Sequence, residues 1–181
     1  GRAAVDMIRS GETVILDVGT STAALARAIV AREDLVDVTV FTSSLTNALE
    51  LEPAIPRISV VLTGGTLRPK QHSLVDPMGS FVFENINVAT AFIGCNGVHP
   101  EYGVTNVNLP EAEIKRKMVG AAQRTVVVAD GSKLGNISVA KVADLSDIDQ
   151  LITGPSAPEG VVTELGELGV AVEIAVPESR A

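Results

Sequence analysis

A single cysteine, no tryptophan, one tyrosine and two histidines are spread over 181 residues, and each scarcity removes a class of protein. Cys95 has no second cysteine to pair with, so no intrachain disulfide can form and a reducing, cytoplasmic setting is expected. His72 and His99 stand apart, without cysteine or histidine partners at metal-ligand spacing, and no metal or other cofactor is anticipated. Aromatic residues make up only 3% of the chain, so a core must be assembled from Val, Ile, Leu and Ala. That is the mixture found where parallel strands are covered by helices. Positive charge is also short: 14 Lys and Arg face 22 Asp and Glu, a net charge of −8, with no basic stripe along any segment. A chain of this kind repels nucleic-acid phosphates, so any contact with DNA must be made by another part of the polypeptide. No apolar run reaches the roughly 18 residues a membrane span needs, and no charged-then-apolar leader opens the chain, so no membrane partner is expected. The first residues instead lie inside a helical pattern, Ala3, Ala4, Met7 and Ile8, as though continuing from a preceding segment.

What is present is a regular alternation. β-rich runs at 13–18, 38–42 and 58–63 are separated by helical stretches at 22–31 and 45–51, the signature of a parallel sheet with right-handed crossovers. An amphipathic stretch at 74–85 follows. Strands resume at 89–94 and 125–129 around a helix at 110–123, and again at 150–153 and 170–176 around a helix at 158–168. No repeat or linker interrupts the series, and one Rossmann-like α/β domain of mostly parallel strands is expected over residues 1–181.

In such a sheet ligands bind beyond the carboxyl ends of the strands, where helix N-termini present unpaired backbone donors. The first turn, Asp17-Val18-Gly19-Thr20-Ser21-Thr22, offers a glycine and three hydroxyls beside the next helix. It reads equally as a phosphate cradle without a Walker lysine or as ordinary helix capping. Thr42-Ser43-Ser44 and Thr63-Gly64-Gly65-Thr66 end the next two strands in the same small residues. A side chain at Gly64 or Gly65 would hinder close approach of a ligand, although paired glycines also punctuate turns. Asn96 and Gly97 leave the strand at 89–94 as a turn dipeptide or a hydrogen-bonding site. Glu111 with Lys115 and Glu113 with Lys117 form i,i+4 pairs of the kind common on solvated helix faces, on a segment at 103–117 that runs from a polar loop into a helix. The apolar run Val126-Val127-Val128 should deliver Asp130 and Lys133 to a pocket rim, an acid for hydroxyls and a cation for phosphate. Cys95 reads as core, with no neighbouring histidine to activate it.

Taken in order, these motifs together with Ala91-Phe92-Ile93-Gly94, Gly103-Val104-Thr105, Ala129-Asp130-Gly131-Ser132-Lys133-Leu134-Gly135 and Ile152-Thr153-Gly154 resemble the effector-sensing domain of DeoR-type bacterial transcription repressors, over about residues 11–154. The resemblance implies a fold shared with ribose-5-phosphate isomerase and the CoA transferases. It implies an N-terminal winged helix outside this sequence that binds operator DNA, release of DNA when a phosphorylated sugar or sugar metabolite binds here, and a homo-oligomer. Carried over by motif, the phosphate would lie on Gly19, Thr20, Ser21 and Thr22, beside Asp17, Thr42 and Ser43, with Gly64 and Gly65 as floor. Asn96, Gly97, Glu111, Lys115, Asp130 and Lys133 would surround the sugar. Many relatives have Thr-Asn-Ser where this chain has Thr42-Ser43-Ser44, which removes an amide able to hold a sugar hydroxyl. The acidic loop of the isomerases is not matched either, since Asn96 cannot act as a general base. A sensor without catalysis is therefore the reading. A sugar-phosphate isomerase using Glu111, Glu113 or Asp130, and a module that chiefly holds subunits together, are the alternatives.

Overall fold

The structure, a computed structural model, describes residues 1–75 and 77–176. In chain order the first half runs α1 (Arg2–Val5), β1 (Thr13–Leu16), α2 (Thr20–Ala31), β2 (Val38–Thr42), α3 (Leu45–Leu51), β3 (Ile58–Leu62), β4 (Thr66–Arg68), β5 (Ser73–Val75) and α4 (Met78–Glu84). The second half runs β6 (Val88–Ile93), β7 (Gly97–His99), β8 (Gly103–Asn106), α5 (Leu109–Gly120), β9 (Ala122–Val128), β10 (Ala140–Ala143), β11 (Gln150–Thr153), α6 (Glu159–Glu167) and β12 (Ala171–Ile174).

Among the described residues, seven of these strands form one sheet in the order β12-β11-β9-β6-β1-β2-β3, and every neighbouring pair is parallel. Strand residues alternate between two cores, as a period of two requires. Val14, Leu16, Val40, Phe92, Val126 and Val128 face one way, against Leu25, Ala26 and Ile29 of α2, Leu51 of α3 and Ala4 and Val5 of α1. Ile15, Ala91, Ile93, Val127 and Leu151 face the other, against Phe83 of α4, Ala112, Ile114 and Met118 of α5 and Leu165 of α6. Each fully buried large side chain contributes roughly 1.5–3 kcal/mol, so these two layers supply most of the driving force.

The Ala-rich run that forms α2 ends where Arg32 leaves helical geometry at φ −88 and ψ 81. Arg57 closes that end: its guanidinium donates to the carbonyls of Arg32 at 2.9 Å, Leu35 at 2.5 Å, Val30 at 3.1 Å and Ile29 at 3.4 Å. A cation here also meets the negative end of the helix dipole.

The chain order carries the functional information. From β1 the chain steps to β2 and β3 on one side, then returns to lay β6 on the other side of β1 and steps away through β9, β11 and β12. The direction of winding thus reverses between β1 and β6, which opens a crevice beyond their carboxyl ends. Two expectations change. Residues 103–106, read as part of a loop, form β8, paired antiparallel with both β7 and β10 in a separate three-stranded sheet. The amphipathic stretch at 74–85 holds the end of β5, paired antiparallel with β4, and then α4, with residue 76 outside the described residues.

Candidate functional site

At the crevice the end of β1 is stitched to the end of β6. Asp17 N–H donates to Phe92 O at 3.0 Å, and Gly94 N–H donates to Asp17 Oδ2 at 2.9 Å. The Lys115 ammonium, reaching over from α5, donates to the same carboxylate oxygen and to Gly94 O at 3.0 Å. The side chains of Lys115 and Asp17 are 3% and 1% exposed, so this ion pair lies inside the protein. Burial pushes the Asp17 carboxyl above the ordinary carboxylate range, opposed by the Lys115 charge and by the Val18 and Gly94 amides. The pair cross-braces β1, β6 and α5 under the floor of a cavity.

That cavity, about 440 Å³, has four walls. The first is the N-terminus of α2, where Gly19 turns the chain at φ 147. No side chain caps this helix, and the Thr22 hydroxyl turns back to Gly19 O at 3.0 Å instead of covering an amide. The N–H groups of Thr20, Ser21 and Thr22 make no hydrogen bond among the described residues. α5 differs: Asn108 caps it by accepting from Glu111 N at 3.1 Å.

The second wall is the start of α5 with Asn96, Asn106 and Val107. Glu111 is buried there; its carboxylate accepts from Ser73 Oγ at 3.1 Å and from Asn106 Nδ2 at 3.3 Å, and Arg68 Nε lies 3.5 Å away. The third wall follows β9 and β6: Val128, Ala129, Asp130 and Lys133, with Gly94 and Cys95. The exposed Asp130 side chain accepts from Ser132 N at 2.9 Å, and hydrogen bonding from the Ser132 hydroxyl, then from its amide, holds the carboxyl below the ordinary range. Lys133 makes no ion pair among the described residues. The fourth wall joins Ser44 and Thr46 to Lys70, Gln71 and His72 from the turn between β4 and β5.

Of the residues singled out in the sequence, Gly19, Thr20, Ser21, Asn96, Glu111, Lys115, Asp130 and Lys133 meet at this cavity. The rest stand behind it or apart. Asp17 is the buried brace, and Thr22 is buried inside α2. Thr42 is buried and accepts from Ser44 N at 3.1 Å, while Ser43 borders a small void beneath Glu111. Gly64 and Gly65 are absent from the lining: a Cβ on Gly65, at φ +135, would stand 2.5 Å from Val75 O, so this glycine lets the β4–β5 hairpin fold back. Gly97 serves a close approach too, since a Cβ there would stand 2.3 Å from Asn136 O. The first of the i,i+4 pairs is not the surface feature its spacing suggests. Glu111 and Lys115 are both buried and face different partners, while Glu113 pairs with Arg116, and Lys117 with Glu84. Cys95 is only partly buried and borders the cavity, with its thiol pushed up to about 12, chiefly by desolvation.

Sequence reasoning reached Ser44 only within the Thr42-Ser43-Ser44 run and did not assign Thr46, Lys70, Gln71, His72 or Asn106 to the site. Ser44 had a readable signal as the cap of α3, accepting from Asn47 N at 3.1 Å. The buried Asn47 donates to Asp17 O at 2.8 Å, tying α3 to the end of β1.

The described residues hold no group of three or more His, Cys, Asp and Glu side chains fit for a metal ion, and none of their helices is long and apolar enough to cross a membrane. The family model for the DeoR C-terminal sensor domain matches residues 1–155. The chain belongs to that family. It is 32% identical over 174 residues to the HTH-type transcriptional regulator GolR of Listeria innocua, covering 96% of this chain and 67% of that protein. With the HTH-type transcriptional regulator GlpR of Haloferax volcanii the identity is 36%, covering 93% and 64%. The chain therefore spans about two thirds of the length of these relatives. In fold it is similar to a ribose 5-phosphate isomerase from Plasmodium falciparum, with a TM-score of 0.52 at 14% identity, covering 74% of this chain and 49% of that one. The decarboxylase AibA/AibB gives 0.55 at 16% identity, covering 98% and 84%.

Proposed function

We propose that this chain is a sensor for a phosphorylated sugar or sugar metabolite, and that it controls DNA binding by a helix-turn-helix segment elsewhere in the same polypeptide. The observation that carries the reading is the uncapped N-terminus of α2, opening on a 440 Å³ cavity with Lys133 on the adjoining wall. Three unpaired amides, the positive end of a helix dipole and a lysine suit a phosphate dianion, and the hydroxyls of Thr20 and Ser21 extend the donor set. Asn96, Asn106 and Glu111 stand on the wall opposite α2, where they suit sugar hydroxyls. Names among the relatives support the link to transcription and to such metabolites: one is a glycerol-3-phosphate regulon repressor and another a putative aga operon transcriptional repressor.

The site is read as a binding site without catalysis. Of the acids in or beneath the cavity, Asp17 is held by Lys115, Glu111 is held through both oxygens and Asp130 accepts from Ser132 N, and the reading without catalysis rests as well on relatives named as transcriptional regulators. The effector acts by binding two conformations of the whole protein with unequal affinity. A homo-oligomer matching the two-fold symmetry of operators belongs to the same reading.

A thermal-shift panel of phosphorylated hexoses, pentoses and trioses, each beside its unphosphorylated parent, tests it. A fitting ligand at one hundred times its Kd adds about 2.7 kcal/mol of stability. The rise is expected only with phosphorylated compounds and should vanish in Lys133→Ala. No shift with any of them at millimolar concentration refutes the proposal.

A further inference from the structure

We infer that a second copy of this chain docks on an apolar patch at the rim of the cavity, formed by Val107, Leu109, Ile137 and Val139. The inference rests on the homo-oligomer of the proposed function and adds the surface through which its subunits meet.

The small sheet assembles the patch. Asn106 of β8 pairs with Ala140 of β10 in antiparallel register, so Val107 and Val139 come side by side where that ladder ends. Leu109 opens α5 two residues after Val107, and Ile137 precedes Val139 by two. All four residues are exposed, from 52% at Ile137 to 78% at Val139. The backbone beneath them is fixed: Val107 N donates to Asn96 Oδ1 at 3.1 Å, Ser138 N to Thr105 Oγ1 at 2.9 Å, and Asn136 Nδ2 to Ser132 O at 2.6 Å. Side chains held outward on an ordered backbone lose little freedom when a partner covers them. Together they leave on the order of 450 Å² of apolar surface in water, a patch of the size that is often functional. A standard interface takes roughly 800 Å² from each partner, a little over half of it apolar, so the patch matches the apolar share of one such interface.

Charge and position select a second copy as the occupant. Residues 102–110 and 134–140 contain no Asp, Glu, Lys or Arg, in a chain of net charge −8. Beside them Lys141 is paired with Asp144, and Arg116 with Glu113. Two copies of so acidic a protein repel one another over much of their surface, but not here, and aliphatic groups facing aliphatic groups meet the demand of a two-fold axis that one surface complement itself. The start of the described chain lies elsewhere. α1 packs with α2 in the core on one face of the seven-stranded sheet, whereas β8 and β10 belong to the core on the other face, with α5, so a segment joined at Gly1 arrives away from the patch. Val107 also lines the cavity, which places the docked copy beside the effector.

Sedimentation velocity of the parent chain, Leu109→Glu, Val139→Glu and Phe81→Glu tests the inference, with far-UV circular dichroism to verify the fold. Phe81, 60% exposed on α4, is apolar surface away from the patch and serves as the control. The parent is expected to sediment as a dimer of the 18.8 kDa chain. Each patch variant should raise the dimer's Kd about tenfold or more, because the new carboxylate is buried in the interface without a partner, and Phe81→Glu should leave it unchanged. A dimer that survives either patch variant, or one that Phe81→Glu dissociates, overturns the inference and leaves the homo-oligomer standing. A parent that stays monomeric at every concentration up to its solubility limit removes both.

Discussion

Replacing Lys115 by Met removes one half of a buried ion pair and leaves the other half nowhere to go. The Lys115 ammonium touches Asp17 and the Gly94 carbonyl, and both side chains of the pair are almost wholly shielded from water. Breaking a buried pair from one side costs about 3–5 kcal/mol, because the surviving charge stays desolvated. Of the 5–15 kcal/mol that holds a typical domain folded, that is a large share. The sign of the pH dependence follows from Asp17. Its folded pKa already lies above the ordinary carboxylate value, and losing Lys115 removes the strongest influence holding it down, so it rises further. A carboxyl whose folded pKa exceeds its unfolded value loses stability as pH rises between the two. The penalty of Lys115→Met should therefore be largest near neutral pH and shrink as pH falls toward 4, by up to about 1.4 kcal/mol per pH unit. Adding Asp17→Asn should recover part of the loss at pH 7 and flatten the profile. Urea unfolding of the parent chain, the single variant and the double variant between pH 4 and 7.5 measures this through midpoint and slope. A cost below about 1 kcal/mol at pH 7, or one that does not change with pH, would refute the reasoning.

Other consequences are more local. Arg57→Ala leaves the carbonyls at the end of α2 without their donor and should cost about 2 kcal/mol in urea unfolding, with Lys recovering less than half because it lacks the planar fork. Gly65→Ala should cost at least about 2 kcal/mol in the same assay, since it adds a Cβ within 2.5 Å of Val75 O on a left-handed backbone. A thiol whose pKa is moved from 9.0 to about 12 carries on the order of a thousandfold less thiolate at pH 8, so Cys95 should react with iodoacetamide at that pH far more slowly than a free thiol; a comparable rate would show that it is not desolvated.

Most of the large sheet was legible because its strands are Val- and Ile-rich runs punctuated by turn residues, and these signals are local. β4, β5 and β7 were not, for they are three residues long and owe their existence to partners across turns. β8 pairs with β10, more than thirty residues on, and a sequence as polar as Gly103-Val104-Thr105-Asn106 gives no alternation to read. The candidate site divides along the same line. Thr20, Ser21, Asn96, Asp130 and Lys133 follow parallel strands directly, so finding the strands found them. Lys70 and His72 arrive on a hairpin whose position is fixed by hydrogen bonds to Ser43 and Leu45, a long-range arrangement that no window of sequence contains. Lys115 was read with the wrong partner because i,i+4 spacing is visible in a sequence and Asp17, 98 residues away, is not.

The most direct test is to follow the backbone amides by nitrogen-15 NMR while inorganic phosphate, and then a phosphorylated sugar, is titrated into the protein. The account predicts that the amide signals of Thr20, Ser21 and Thr22 move first and furthest, with saturation, and that Lys133→Ala weakens the effect. Saturable shifts centred elsewhere, with those three amides still, would contradict it.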